Sequence, residues 1–151
     1  QASCLLAPLV GRQAGLLLAD TTRYAEKQLF VAQCGVDSAR IAAIGGIEAR
    51  GVDLWAERER VLDLLTEAGK NLLAVGRVQV LLLGCLSFLG LAHPLSERLG
   101  VPVVDPAVAP VALAECLVRQ GLKTSRKACT AVAQTYVAER PIINSLLFYR
   151  K

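Results

Sequence analysis

The residues best suited to chemistry are a glycine and a cysteine at the end of the apolar run VLLLGCLSF. Gly84 has no Cβ, so backbone amides at this point can approach a ligand closely. The amides of Leu86 and Ser87 lie at a predicted helix start, where such groups can bind a carboxylate or an enolate oxygen. A helix start also lowers the pKa of a thiol, so the pattern predicts that Cys85 can act as a base.

The same pattern permits a second interpretation of Cys85. Cysteine is among the most often buried residue types, and a cysteine that follows an apolar strand can simply be part of the core. The spacing of the residues alone does not separate a catalytic thiol from a structural one.

Two other predicted strands end in polar residues. The run GLLLAD leads into Thr21 and Thr22, whose hydroxyls could cap a helix. Asp105 ends another strand, where the carboxylate is expected to orient a backbone amide, and His93 is expected at the surface. Ligands of parallel sheets bind at the carboxyl ends of the strands, so these strand ends should meet at one edge.

The elements that position these residues alternate between short β-rich runs and longer helical ones. Alternation of this kind predicts an α/β fold, a parallel four-stranded sheet flanked by helices. Apolar residues recur at helical spacing in the second helical segment, with a charged opposite face around residues 57–60. The predicted strands span residues 15–20, 38–44, 78–83 and 101–104, and the predicted helices span 21–33, 54–75, 87–99 and 107–119.

Composition narrows the class of protein. Of 151 residues, 54% are hydrophobic, which is typical of strands buried on both faces. The net charge of +4 comes from mostly scattered basic residues without aromatic interleaving, so we expect no nucleic-acid partner. No apolar stretch reaches the ~20 residues of a membrane span, and we expect no membrane partner.

The cysteines indicate a reducing compartment. Five of them are scattered along the chain without a metal-binding spacing, so we expect a cytoplasmic protein with no metal. Three are expected to be structural: Cys34, Cys116 and Cys129.

A long ordered stretch resembles one known family. LLLGCLSF, followed by LSERLGVPVVDPAVAPVALAECLVRQGLKTSRK, is similar to the C-terminal part of hydantoin and allantoin racemases, in the aspartate/glutamate/hydantoin racemase superfamily. GRQAGLLLADTTRY resembles the start of the second domain in that family. The resemblance covers about residues 4–128, and it implies one of two pseudo-symmetric α/β halves with the active site between them.

The resemblance also implies a mechanism. In the family one cysteine thiolate removes a Cα proton, and a second thiol returns a proton on the opposite face, without a cofactor or metal. Cys85 matches the second of these cysteines, and Thr21 and Thr22 match a turn that binds substrate oxygens. Tyr24 resembles a tyrosine donor found at this turn in related decarboxylases and isomerases. The expected partner is a small molecule that carries a carboxylate or a ring carbonyl.

The chain departs from the family at its beginning. The first half and its cysteine motif are missing, and residues 1–10 match the helix that precedes the second half. We therefore expect a leading helix at 1–10, a racemase-like domain at 11–128 and a tail at 129–151. The alternatives are a non-catalytic module that binds a small anion, a related isomerase or decarboxylase, and a fragment of a longer protein. Apolar surface left uncovered predicts a homo-oligomer.

Overall fold

The computed structural model describes residues 1–35, 37–49 and 51–125. The chain divides into two compact units, Gln1–Ala114 and Glu115–Lys151. The predicted tail, with Cys129, lies outside the described residues, and the predicted boundaries after residues 10 and 128 stay predictions. Among the described residues, no helix combines the length and the apolar character that crossing a membrane requires.

A parallel sheet of four strands forms the centre of the first unit. The order across the sheet is β2-β1-β3-β4, and all three neighbouring pairs are parallel, which confirms the predicted α/β fold. The strands are β1 (Ala14–Leu18), β2 (Ile41–Gly46), β3 (Val80–Leu83) and β4 (Val103–Val104). The helices are α1 (Ala2–Val10), α2 (Tyr24–Gln33), α3 (Arg58–Ala74), α4 (Ala92–Leu99) and α5 (Val108–Arg119).

Both faces of the sheet are buried, because alternate side chains of each central strand point to opposite sides. Leu17 of β1 packs in one core cluster with residues of α3 and α4, such as Leu65 and Leu95. Leu16 of β1 packs in a second cluster with residues of α1 and α2, such as Ala7 and Val31. This double burial accounts for the apolar richness of the chain.

The long helix α3 is amphipathic, as its spacing predicts. Val61, Leu62, Leu65 and Leu72 are among its buried residues. The turn before the helix is closed by Asp53, whose carboxylate accepts hydrogen bonds from the amides of residues 55 and 56 at 2.9 and 3.0 Å. The amides of Ala56 and Trp55 hold the pKa of Asp53 below its ordinary value.

Several predicted element boundaries differ from the structure by two or more residues; α3, for example, begins at Arg58 rather than at residue 54. Two further differences have a local backbone cause. The second strand begins at Ile41 rather than at residue 38, because Ser38–Arg40 form a 3-10 helix instead of extended chain. The helix expected at 87–99 begins only at Ala92. Gly90 adopts a positive φ of 81°, a conformation in which a helix cannot continue. Pro94 then lies in the first turn of α4, where its missing N–H is tolerated.

Candidate functional site

The carboxyl ends of the two central strands lie side by side. Leu17 of β1 is in register with Leu83 of β3, so the residues after both strands reach the same edge of the sheet. Gly46 ends β2 opposite Leu18, and the amide of Ile47 donates to the carbonyl of Leu18 at 2.9 Å. The three chain segments that leave this edge carry most of the residues singled out in the sequence.

Gly84 occupies a position where a side chain would not fit. Its amide donates to the carbonyl of Leu17 at 2.7 Å. A Cβ at this position would lie 2.9 Å from that carbonyl oxygen and 2.8 Å from Cδ2 of Leu18. The glycine therefore allows β3 to stay paired with β1 up to the residue immediately before Cys85.

Cys85 is half-buried and begins a short turn. Its backbone is extended, and its carbonyl accepts a hydrogen bond from the amide of Phe88 at 3.2 Å. Leu86–Phe88 form one 3-10 turn rather than the start of the predicted α-helix. Phe88 is fully buried in the core, whereas Leu86 is 65% exposed. The turn is thus anchored at its end and open at its beginning, beside the thiol.

The amides at the beginning of this turn are the ones that the sequence singles out. Phe88 and Leu89 donate to the carbonyls of Cys85 and Leu86, which closes the turn. The Leu86 and Ser87 amides make no hydrogen bond to the described part of the chain. They are therefore the backbone donors left for a ligand oxygen next to Cys85.

The two predicted threonines follow β1, but neither side chain caps a helix. The carboxylate of Asp20 caps the 3-10 turn Thr21–Arg23 and accepts the Thr22 amide at 2.9 Å and the Thr22 hydroxyl at 2.5 Å. The helix α2 begins without a side-chain cap. The Thr21 hydroxyl donates to the carboxylate of Glu48, a residue just past β2. Both hydroxyl protons are thus used within the protein, which leaves the threonine oxygens able to act only as hydrogen-bond acceptors toward a ligand.

Tyr24 lies farther along the same segment. It is the first residue of α2, it is 44% exposed, and it lines a groove between α2 and β2 with Gln28 and Ala42. In this groove, of about 350 Å³, the described lining residues do not include Cys85 or Gly84. The role of Tyr24 as a substrate donor therefore stays a prediction.

Sequence reasoning missed two residues at this edge. Glu48 contacts Thr21 only through the tertiary fold, so no local pattern could reveal it. Arg58 was assigned to a charged helix face, yet it donates to backbone carbonyls of the segment after Cys85, at Ser87 and Leu89. A signal for Arg58 did exist: it precedes Leu62 and Leu65 at helical spacing, on the buried stripe of α3.

Asp105 has the structural role that its position suggests. The carboxylate is buried and accepts the amides of Gly90 at 2.9 Å, Ala107 at 2.8 Å and Val108 at 3.4 Å. It therefore joins the segment after Cys85 to the start of α5.

Asp105→Asn is expected to lower the free energy of unfolding by about 2 kcal/mol, because the amide nitrogen cannot accept from a backbone N–H. Urea unfolding measures the effect. Asp63→Asn is the matched control: that carboxylate is exposed and paired with Arg98 at 2.6 Å, so its cost should stay within about 0.5 kcal/mol. Equal losses in the two variants would contradict the role of Asp105.

An apolar cleft lies elsewhere. It has a volume of about 620 Å³ and is lined by residues of α1, α4, β4 and α5, including Leu9, Val103 and Ala109. His93 lies at its border, exposed and 3.7 Å from the carboxylate of Glu97. Because Cys85 and the threonines do not line this cleft, we place the candidate active site at the open edge of the sheet.

The other described cysteines differ in environment. Cys4 and Cys34 are buried, and burial, followed by the charge of the neighbouring Cys34 thiol, raises the pKa of Cys4. Cys116 is exposed, in contrast to the structural role expected of it. Among the described residues, no group of three or more His, Cys, Asp or Glu side chains could hold a metal ion.

Comparison with known proteins places this geometry in context. Residues 1–114 match the family model of Asp/Glu/hydantoin racemases. A hydantoin racemase of Paenarthrobacter aurescens is 39% identical over 77 residues, which is 50% of this chain and 33% of that protein. A hydantoin racemase of Pseudomonas sp. (strain NS671) is 36% identical over 75 residues, which is 50% of this chain and 30% of that protein.

Solved structures agree in fold. An allantoin racemase of Pseudomonas fluorescens superposes with a TM-score of 0.64 at 28% identity, over 83% of this chain and 53% of that one. The allantoin racemase of Klebsiella pneumoniae gives a TM-score of 0.75 at 24% identity, over 84% and 51%. An arylmalonate decarboxylase gives 0.56 at 25% identity, over 82% and 53%. The chain thus spans about half the length of these structures and about a third of the curated racemases.

Proposed function

The chain belongs to the Asp/Glu/hydantoin racemase family, and from that membership we propose that it racemises a hydantoin-like compound by cysteine-mediated proton transfer at Cα. The observation that carries the proposal is the half-buried Cys85 at the end of β3, beside two amides that are free to bind a ligand oxygen. Since the chain spans only part of its relatives, the activity is proposed for the protein that contains it.

The proposed step needs a base and a site for negative charge. The Cys85 thiolate removes the Cα proton, and the electron pair moves onto the adjacent carbonyl to form an enolate. The Leu86 and Ser87 amides donate to the enolate oxygen, and Gly84 keeps the backbone near enough for the contact. A proton returned on the opposite face of the planar carbon gives the other enantiomer.

The threonine turn favours a ring that carries N–H groups. With their hydroxyl protons directed at Asp20 and Glu48, Thr21 and Thr22 present oxygen lone pairs. Hydantoin and allantoin rings have N–H donors next to carbonyl acceptors, so such a ring can donate to the threonines and accept from the amides. A malonate offers only acceptors, which makes a decarboxylase the less suitable reading of this turn.

The second acid lies outside this edge. Of the other cysteines in the first unit, Cys4 and Cys34 are buried among residues of α1 and α2. We propose that the proton donor for the opposite face comes from another segment of the protein or from a second copy.

The test is the loss of optical rotation from an enantiopure 5-substituted hydantoin and from enantiopure allantoin. The proposal expects both rotations to decay to zero with the protein present, and one of them faster. Rotations that stay constant would contradict it. Release of carbon dioxide from an arylmalonate, with no racemisation, would identify a decarboxylase instead.

A binding module without catalysis is the second candidate, because a single thiol cannot serve both faces of Cα. The rate of thiol alkylation distinguishes a binding module from a catalyst. If Cys85 is catalytic, it should be alkylated faster than the exposed Cys116 at neutral pH; in a binding module it should react no faster.

We also propose that the protein self-associates in a cytoplasmic, reducing environment. The apolar cleft near β4 offers a surface for a second copy, and five scattered cysteines without a metal-binding spacing fit a reducing environment. Light scattering at micromolar concentration should give at least the dimer mass. A stable monomer under these conditions would contradict self-association.

A further inference from the structure

Arg58 makes contacts that an exposed helix residue would not make. Its guanidinium donates to the carbonyl of Leu54 at 3.4 Å, to that of Ser87 at 2.9 Å, and to that of Leu89. It also lies over the ring of Trp55, 5.1 Å from its centre. By contrast, Arg60, two residues further along the same helix, is exposed and pairs with Glu57 at 2.6 Å.

Two of the three carbonyls that Arg58 holds, those of Ser87 and Leu89, belong to the segment that follows Cys85. The carbonyls of a helical turn point toward its C-terminal end and the amides toward its N-terminal end. A guanidinium on the carbonyls of Ser87 and Leu89 therefore fixes the far end of the Leu86–Phe88 turn. The near end of that turn is Cys85, whose carbonyl accepts the Phe88 amide.

We propose that Arg58 is a positioning residue for Cys85, which holds the turn after the thiol in the geometry that proton transfer needs. The inference rests on the proposed function for the reaction itself, and on the contacts to the Ser87 and Leu89 carbonyls for the placement of the turn. Arg58 acts through the backbone of the turn and does not touch the reacting atoms.

The planar fork of arginine explains why this residue type suits the task. Its fixed donors serve several carbonyls at once, and its flat face stacks on an aromatic ring. Lysine has a single ammonium group, which cannot reproduce both the spread of donors and the stacking. Arg58→Lys should therefore keep only part of the carbonyl contacts and ring stacking that Arg58→Met removes.

The experiment compares Arg58→Met and Arg58→Lys with Arg60→Met as the matched control. In Arg58→Met, the amides of Phe88 and Leu89 should exchange hydrogen faster while amides of β1 and β3 do not change. Iodoacetamide should alkylate Cys85 at least about threefold faster relative to Cys116, because a looser turn exposes the half-buried thiol. For racemisation, kcat should fall about tenfold or more with KM nearly constant, since misplacement affects the reacting geometry.

The outcomes separate this inference from the proposed function. Local exchange and Cys85 alkylation that change in a protein without racemase activity would support the placement of Arg58 and reject the proposed function. Racemisation that proceeds in Arg58→Met with unchanged kcat, exchange and alkylation would overturn the inference and leave the function intact. Should Arg58→Met fail to fold, Arg58→Lys decides by the same readouts, with intermediate effects expected and wild-type values overturning the inference.

Discussion

Replacing Cys85 by serine is expected to lower the rate of hydantoin racemisation by about 10³-fold, the usual contribution of a positioned general base. Serine preserves the size of the side chain, but its hydroxyl ionises far less readily than a thiol. The turn should survive, because it is held by backbone hydrogen bonds and by the buried Phe88 rather than by the sulfur. The decay of optical rotation measures the rate.

Cys116→Ser is the control for this experiment. Cys116 is also a free cysteine, but it is exposed and lies on α5, outside the candidate site. Its replacement should leave the rate within about twofold, as surface substitutions away from special features usually do. If Cys85→Ser racemised as fast as Cys116→Ser, the role assigned to Cys85 would be wrong.

Gly46→Ala is expected to lower the free energy of unfolding by about 3 kcal/mol or more, the upper range for overpacking. A Cβ at this position would lie 2.1 Å from the carbonyl oxygen of Leu18 and 2.8 Å from its nitrogen. These are backbone atoms of the neighbouring strand, so they cannot rotate away. The end of β2 must therefore separate from the end of β1, which breaks the hydrogen bond from the Ile47 amide to the Leu18 carbonyl.

The preceding glycine provides a matched control on the same strand. A Cβ at Gly45 would meet the end of the Leu72 side chain at 3.0 Å, and that side chain can move. Gly45→Ala should therefore change the free energy of unfolding by about 1 kcal/mol or less. Urea unfolding of both variants gives the comparison. Equal midpoints would mean that β1 and β2 do not approach each other as closely as the structure has them.

Much of the fold follows from the sequence, because the strongest patterns are local. The run before Gly84 contains only apolar residues, and a parallel strand buried on both faces requires that composition. The spacing of Leu62, Leu65 and Leu72 determines the buried stripe of α3 in the same way. Gly35 ends α2 with a φ of 73°, as its position after the helix predicts.

The errors arise where a single backbone angle, or a contact with a residue distant in the sequence, determines the local structure. The segment after Cys85 has helical composition, but the positive φ of Gly90 interrupts it and shifts the helix to Ala92. Thr21 was assigned as a donor to substrate, whereas its proton is directed at Glu48, which follows a different strand. Arg58 is charged, so its residue type suggests an exposed position, whereas its helical spacing indicates an inward one.

Under the proposed function, this edge of the sheet exchanges the Cα proton of a hydantoin-like substrate through Cys85. The exchange can be followed by proton NMR in D2O, with each enantiomer of a 5-substituted hydantoin incubated separately with the protein. Deuterium should enter at Cα faster than in buffer alone, and Cys85→Ser should remove this acceleration for at least one enantiomer. An exchange rate equal to that of buffer for both enantiomers would contradict the proposed function.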